Sequence, residues 1–247
     1  GNSMKAGDPS RRVWFFDLDN TLHDASHAAF GPTNVAMTEY IATHLRLPHA
    51  EATTLRQHYW THYGATLLGL LRHHAVRAAH FLAETHRLPG LESRLRTSHH
   101  DRAALKRLRG RKFILTNAPR DYAWRVLRAL DLADCFEAVI CIEDMTMFGH
   151  HRPKPDARMF RHLAARLKVQ PGRCVLVEDT LQHQKAARGV GMQTAWMQRY
   201  LDGRFRGHLR SGANEGAKAR PGGLTSCRKP SYVCARIKSI RTLHTWK

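Results

Sequence analysis

At 247 residues, with 43% apolar content and a formal net charge of +20, the chain carries enough apolar material for one large core, or for a core with a small second unit. No apolar run approaches the roughly 20 residues that cross a bilayer, and five cysteines without a C-x-x-C pair argue against a zinc ribbon or a full disulfide framework. The eighteen histidines include adjacent pairs at 73–74, 99–100 and 150–151, but none has the H-E-x-x-H spacing of a helical zinc site.

Residues 1–10 read as a loose leader without the apolar segment of a signal peptide, so a cytoplasmic location is expected. The first strong element is Val13-Trp14-Phe15-Phe16, which runs straight into Asp17-Leu18-Asp19-Asn20-Thr21. Four apolar residues are too few for a buried helix and read as a strand covered on both faces, in the middle of a parallel sheet. Asp17 and Asp19 lie just past its end and, two residues apart, lean to one side if the chain stays extended. At about 4 Å and an effective dielectric near 20, two carboxylates repel by roughly 4 kcal/mol. The pair therefore calls for a cation, and Mg2+ is the natural guest of such oxygen donors. An acidic surface turn is the plain alternative.

Residues 25–100 show no strand pattern. Val35, Met37, Tyr40, Ile41 and Leu45 approximate a helical stripe ending near Pro48, and Leu55, Tyr59, Tyr63, Leu67, Leu70 and Leu71 form a second. A third helix is expected over 75–88, stopped by Pro89-Gly90. This helical block, inserted between the first strand and its crossover helix, is expected to stand over the strand ends as a cap domain.

From Asp101 the pattern alternates. Helices are expected over 102–109, 122–130, 156–167 and 181–188, with strands over 112–115, 138–142, 173–177 and 194–197. Alternation of this kind predicts an α/β fold, a doubly wound parallel sheet with helices on both faces. Residues 11–24 and 101–200 thus form the core. Beyond Tyr200 the chain turns Gly- and Arg-rich. From Arg199 to Lys247 twelve Lys or Arg face only Asp202 and Glu215, about half the net positive charge. Residues 201–247 are expected to be a flexible or loosely docked basic tail, with a short strand or helix near 232–237 and nucleic acid as its alternative partner.

Sheets of this type bind ligands beyond the carboxyl ends of their strands. Asp17, Thr116 and the pair Glu178-Asp179 each follow an apolar run, so three separate stretches aim polar groups at one rim. Asp17-Leu18-Asp19-Asn20-Thr21-Leu22, Leu115-Thr116-Asn117-Ala118-Pro119, Arg152-Pro153-Lys154-Pro155 and Glu178-Asp179-Thr180 together resemble the four motifs of the haloacid dehalogenase-like (HAD) hydrolases. The resemblance spans roughly 12–200 and looks closest to the pyrimidine 5'-nucleotidase branch.

The resemblance implies a Rossmann-like core with an inserted all-helical cap, and a Mg2+-dependent phosphomonoesterase working through an aspartyl-phosphate. Asp17 is the implied nucleophile and Asp19 the general acid and base, an acid that dehalogenase members lack. Thr116, Asn117 and Lys154 are implied phosphate binders. The implied metal ligands are Asp17, Asp19 through its backbone carbonyl, and Asp179, with Glu178 ligating directly, through water or from behind. His23 and Tyr63 are candidates for selecting the leaving group, beside His27, Tyr59, Trp60 and Thr66, since aromatic faces can stack a base. The expected substrate is a small phosphorylated molecule, a pyrimidine nucleoside 5'-monophosphate. A phosphoglycolate or sugar-phosphate phosphatase, or a phosphomutase, is the alternative.

Overall fold

The computed structural model describes residues 7–201 and 234–247. Six parallel strands form one sheet in the order β3-β2-β1-β6-β7-β8. They are β1 Val13–Phe16, β2 Arg111–Leu115, β3 Ala138–Ile140, β6 Cys174–Glu178, β7 Gln193–Met197 and β8 Cys234–Ile237. β1 lies in the middle, with Phe16 opposite Ile114 of β2 on one side and Val177 of β6 on the other. All four β1 residues are buried, because alternate side chains enter different cores. Trp14 and Phe16 pack with α6 (Asp101–Arg107) and α7 (Arg120–Ala129); Val13 and Phe15 pack with α8 (Ala157–Arg166) and α9 (Leu181–Gly189). Helices thus cover both faces, as in a doubly wound sheet.

A short π-helix, Ser26–Phe30, and five α-helices fill the stretch between β1 and α6: α1 Gly31–His44, α2 His49–Tyr63, α3 Thr66–His73, α4 Ala78–Thr85 and α5 Leu91–Arg94. Tyr40, Ile41, Ala52, Tyr59, Leu67, Leu70, Phe81 and Leu82 of α1–α4 bury a core of their own, joined by Ile142 from the sheet side. Two expectations need correcting here. The second helical stripe is broken at Gly64, whose φ of +82° ends α2, so its apolar residues divide between two helices. Val35, read as part of the first stripe, is 57% exposed, and Thr33 and Thr38 are buried on α1.

After β3 the chain forms a short helical turn, Ile142–Asp144, where the strand pattern had suggested extension to 142. A small antiparallel hairpin follows, β4 Thr146–Met147 with β5 His150–His151, and it leads into Lys154. Beyond Leu201, only residues 234–247 of the tail are described. Most of the basic stretch, 202–233, lies outside the described residues, and so does most of the leader. The chain end, however, is built into the core. β8 pairs with β7, and Ile237, Ile240 and Leu243 are buried beside Trp14. Among the described residues no helix is long and apolar enough to cross a membrane.

Candidate active site

β1 is the point where the strand order reverses, with β2 to one side and β6 to the other. The residues leaving these three strands therefore meet at one crevice. The backbone N–H of Asp17 donates to the carbonyl of Val177 at 2.9 Å, which ties the first acid to the end of β6. Glu178 closes β6 and is wholly buried.

Lys154 joins these ends. Only 1% of it is exposed, and its Nζ donates to Asp17 Oδ1 at 3.0 Å, Glu178 Oε2 at 2.7 Å and the Leu115 carbonyl at 2.7 Å. All three ammonium hydrogens are thus used, and a buried charge on this scale is tolerable only when paired in this way. The lysine loop is held by Asn117, whose side-chain amide donates to the Lys154 carbonyl at 2.9 Å and accepts from the Lys154 N–H at 3.0 Å. The Asn117 side chain therefore fixes the loop. Thr116, also buried, accepts from the Ala118 N–H at 3.1 Å.

The charges here are out of balance. Burial, then the neighbouring Glu178, push the Asp17 carboxyl up to about 7 against the pull of Lys154. Burial likewise raises Asp179 well above the carboxylate range, with Asp17 and Glu178 adding to it. For Glu178 burial pushes upward too, but Lys154 and His183 reverse it and hold this carboxyl well below its usual value. Desolvation disfavours charge on Lys154, and Asp17 and Glu178 outweigh it, so the ammonium stays protonated.

Asp17, Glu178 and Asp179 can each place one carboxylate oxygen within 4.8 Å of the others. Three carboxylates answered by a single lysine leave negative charge that a cation would neutralise. An all-oxygen donor set of this kind fits a hard divalent ion such as Mg2+.

Asp19 does not join the carboxylate cluster through its side chain. Its Oδ1 lies 2.7 Å from His23 Nε2 and accepts from the Tyr122 hydroxyl at 2.6 Å. His23, a candidate for selecting the leaving group, is wholly buried, with Asp19 and Tyr122 as its neighbours. Tyr63, at the end of α2, borders a cavity of about 230 Å³ together with Leu68, His151, Arg152 and Pro153, next to Lys154. Tyr59 is instead part of the helical core, with its hydroxyl 2.8 Å from His74 Nε2, and Thr66 donates to the Arg56 carbonyl. Two residues near the site escaped the sequence reading. His183 Nδ1 stands 3.4 Å from Glu178 Oε2. Tyr122 sits six residues after Thr116 on the buried face of α7, where its spacing looks like ordinary core packing.

A sequence profile described as "haloacid dehalogenase-like hydrolase" matches residues 12–191, well over half of the chain. The chain belongs to the haloacid dehalogenase-like hydrolases. Among curated proteins, this HAD hydrolase is 25% identical over 202 residues to phosphate metabolism protein 8 of Saccharomyces cerevisiae. The match takes in 75% of the chain and spans 61% of the length of that relative. Among solved structures it shares its fold with a HAD phosphatase from Thermococcus onnurineus, with a TM-score of 0.56, 18% identity and coverage of 94% and 95% of the two chains. It is similar in the same way to the HAD-hydrolase YfnB of Bacillus subtilis, solved bound to magnesium, with a TM-score of 0.54, 18% identity and coverage of 95% and 97%. The HAD hydrolase described here therefore presents its polar cluster at the topological switch point of its sheet.

Proposed function

We propose that this HAD hydrolase is a Mg2+-dependent phosphomonoesterase that works through an aspartyl-phosphate and acts on pyrimidine nucleoside 5'-monophosphates. The observation that carries the reading is the convergence of Asp17, Lys154, Glu178 and Asp179 in one buried cluster, with a second acid, Asp19, held beside it. Magnesium bound to YfnB, and the HAD phosphatase from Thermococcus onnurineus, support the class without carrying it.

In this reading an Asp17 carboxylate oxygen attacks phosphorus in line, and the bond from phosphorus to the leaving oxygen breaks with its electron pair on that oxygen. Asp19 gives its proton to the departing alkoxide, and then takes one from the water that attacks the aspartyl-phosphate. The second attack releases inorganic phosphate and restores the Asp17 carboxylate. Lys154, with the Thr116 hydroxyl and the Asn117 N–H, faces the phosphoryl oxygens and offsets their charge. A divalent ion held by Asp17, the Asp19 carbonyl and Asp179, with Glu178 beside it, would supply the remaining charge neutralisation.

The pyrimidine part rests on the Asp17–Leu22 and Thr116–Pro119 motifs and on Tyr63, whose ring borders the cavity next to the lysine loop. A phosphate-release screen over nucleoside monophosphates, phosphoglycolate and sugar phosphates, with and without Mg2+, tests both parts. Mg2+-dependent release, fastest from UMP and CMP, is the expected result. Release that ignores divalent ions overturns the mechanism; a clear preference for phosphoglycolate or a sugar phosphate overturns the substrate.

A further inference from the structure

Asp19 holds its two oxygens in unlike surroundings. Oδ1 takes both local donors, the Tyr122 hydroxyl at 2.6 Å and His23 Nε2 at 2.7 Å, while no described residue donates to Oδ2. The donors come from separate parts of the chain. His23 follows the β1 motif, and Tyr122 projects from α7 some 99 residues later. Both are buried, whereas the Asp19 side chain is 19% exposed. The His23 ring donates through Nε2 while its Nδ1, also buried, has no hydrogen-bond partner among the described residues. A buried acceptor left unpaired is costly, so the ring is oriented for Asp19 at the expense of its own second nitrogen.

Resting on the general-acid reading of Asp19, we infer that His23 and Tyr122 are positioning residues that clamp Oδ1 and so leave Oδ2 as the oxygen that exchanges the proton with the leaving group. Without the clamp the carboxyl group rotates about its Cβ–Cγ bond, and either oxygen can point at the substrate or away from it. Misplacement of a reacting group by a fraction of an ångström is enough to slow a step that depends on its alignment. The clamp serves only the proton transfer; Asp17, Lys154 and the carboxylate cluster do not touch His23 or Tyr122 through any hydrogen bond in the structure.

The test compares two leaving groups. An alkoxide departing from a nucleoside monophosphate needs a proton, and a nitrophenolate departing from p-nitrophenyl phosphate does not. kcat/KM is measured for p-nitrophenyl phosphate and for UMP, or for the fastest alkyl monophosphate of the screen, in Tyr122→Phe, His23→Leu, His23→Gln and Asp19→Asn. The ratio of the two kcat/KM values cancels any loss of folded protein. Tyr122→Phe and His23→Leu should lower kcat/KM for the alkyl ester by roughly tenfold or more while lowering that for p-nitrophenyl phosphate by about twofold at most. KM for the alkyl ester should stay unchanged. His23→Gln, which can place an N–H near the position of Nε2, should recover most of the lost ratio. Equal losses on both substrates in the Tyr122 and His23 variants, with a selective loss in Asp19→Asn, overturn the clamp and leave the general acid standing. Equal losses in Asp19→Asn as well overturn the general-acid reading, and the clamp with it.

Discussion

Where β1, β2 and β6 end, charged groups are buried against one another, whereas the core of α1–α4 pairs tyrosine hydroxyls with histidines. Lys154, Asp17 and Glu178 face one another almost out of contact with water. In the helical block the Tyr40 hydroxyl meets His80 Nδ1 at 2.8 Å and the Tyr59 hydroxyl meets His74 Nε2 at 2.8 Å. Burial lowers the basicity of His74, which suits a neutral ring. A neutral hydrogen bond is worth about 1 kcal/mol net, and its loss is easily absorbed. Removing one partner of a buried ion pair strands a charge at a cost of about 3–5 kcal/mol. The strand ends should therefore tolerate almost no change of charge, and the helical block should tolerate many changes of side chain that keep its volume.

The sharpest contrast is in activity. Asp17→Asn is expected to lower phosphate release by about 10⁴-fold or more with an unchanged circular dichroism spectrum, whereas Tyr59→Phe should keep release within about threefold. A comparable loss from both would break the comparison. Lys154→Met comes next, because it leaves Asp17, Glu178 and Asp179 without their cation. Denaturant melts without divalent ions should show a loss of about 3–5 kcal/mol, and added Mg2+ should recover part of it.

Packing sets the limit within the helical block. A Cβ at Gly69 would overlap the Tyr59 ring, so α2 and α3 cannot keep their spacing in Gly69→Ala. A destabilisation of about 1–3 kcal/mol is expected, with turnover per folded molecule retained. If instead the variant folds normally and loses turnover, the block has a chemical part that the comparison denies it.

Smaller effects probe the charge at the strand ends. With Asp17 at about 7 and its unfolded value near 3.8, the folded protein binds a proton that the unfolded chain has already released between those values. Stability therefore falls as pH rises from about 4 to 7. Asp179, also raised, acts in the same direction. Glu178, held below the usual glutamate value, gives stability that is lost only as pH falls beneath that value, outside this window. The melting temperature without divalent ions should drop by a few degrees between pH 5 and 8, and Mg2+ should raise it more at pH 8 than at pH 5. A Mg2+ effect equal at both pH values would count against an ion among these carboxylates. The smallest change expected is in Tyr63→Ala: a rise of about fivefold in KM for UMP with kcat held, read from initial rates.

Much of the sheet was legible because a parallel strand buried on both faces writes itself as an uninterrupted apolar run. Val13–Phe16 and Cys174–Glu178 are of this kind, and the polar residue that ends each run lies at the rim by necessity. Cys234–Ile237 was legible only as a short strand or helix near 232–237, because it is an edge strand of ordinary composition behind a long basic stretch, with nothing local to say that it joins the sheet. Val35 and the break at Gly64 were misread because a small helical core is built from rings and threonines as much as from aliphatic side chains. Tyr122 was invisible as a site residue because its apolar ring and its polar tip serve different neighbours, and only the ring shows in the spacing.

By itself the sequence determined the alternation of strand and helix and the acids that stand at the strand ends, since both follow from short-range rules of periodicity and chain direction. Tertiary structure alone decided that Lys154 reaches Asp17 across 137 residues and Glu178 across 24, that His23 turns toward Asp19, and that one oxygen of Asp19 is held by two donors. The physical reason is that a buried charge or hydrogen-bond donor must find its partner through space, and the spacing of residues along the chain carries no record of that distance.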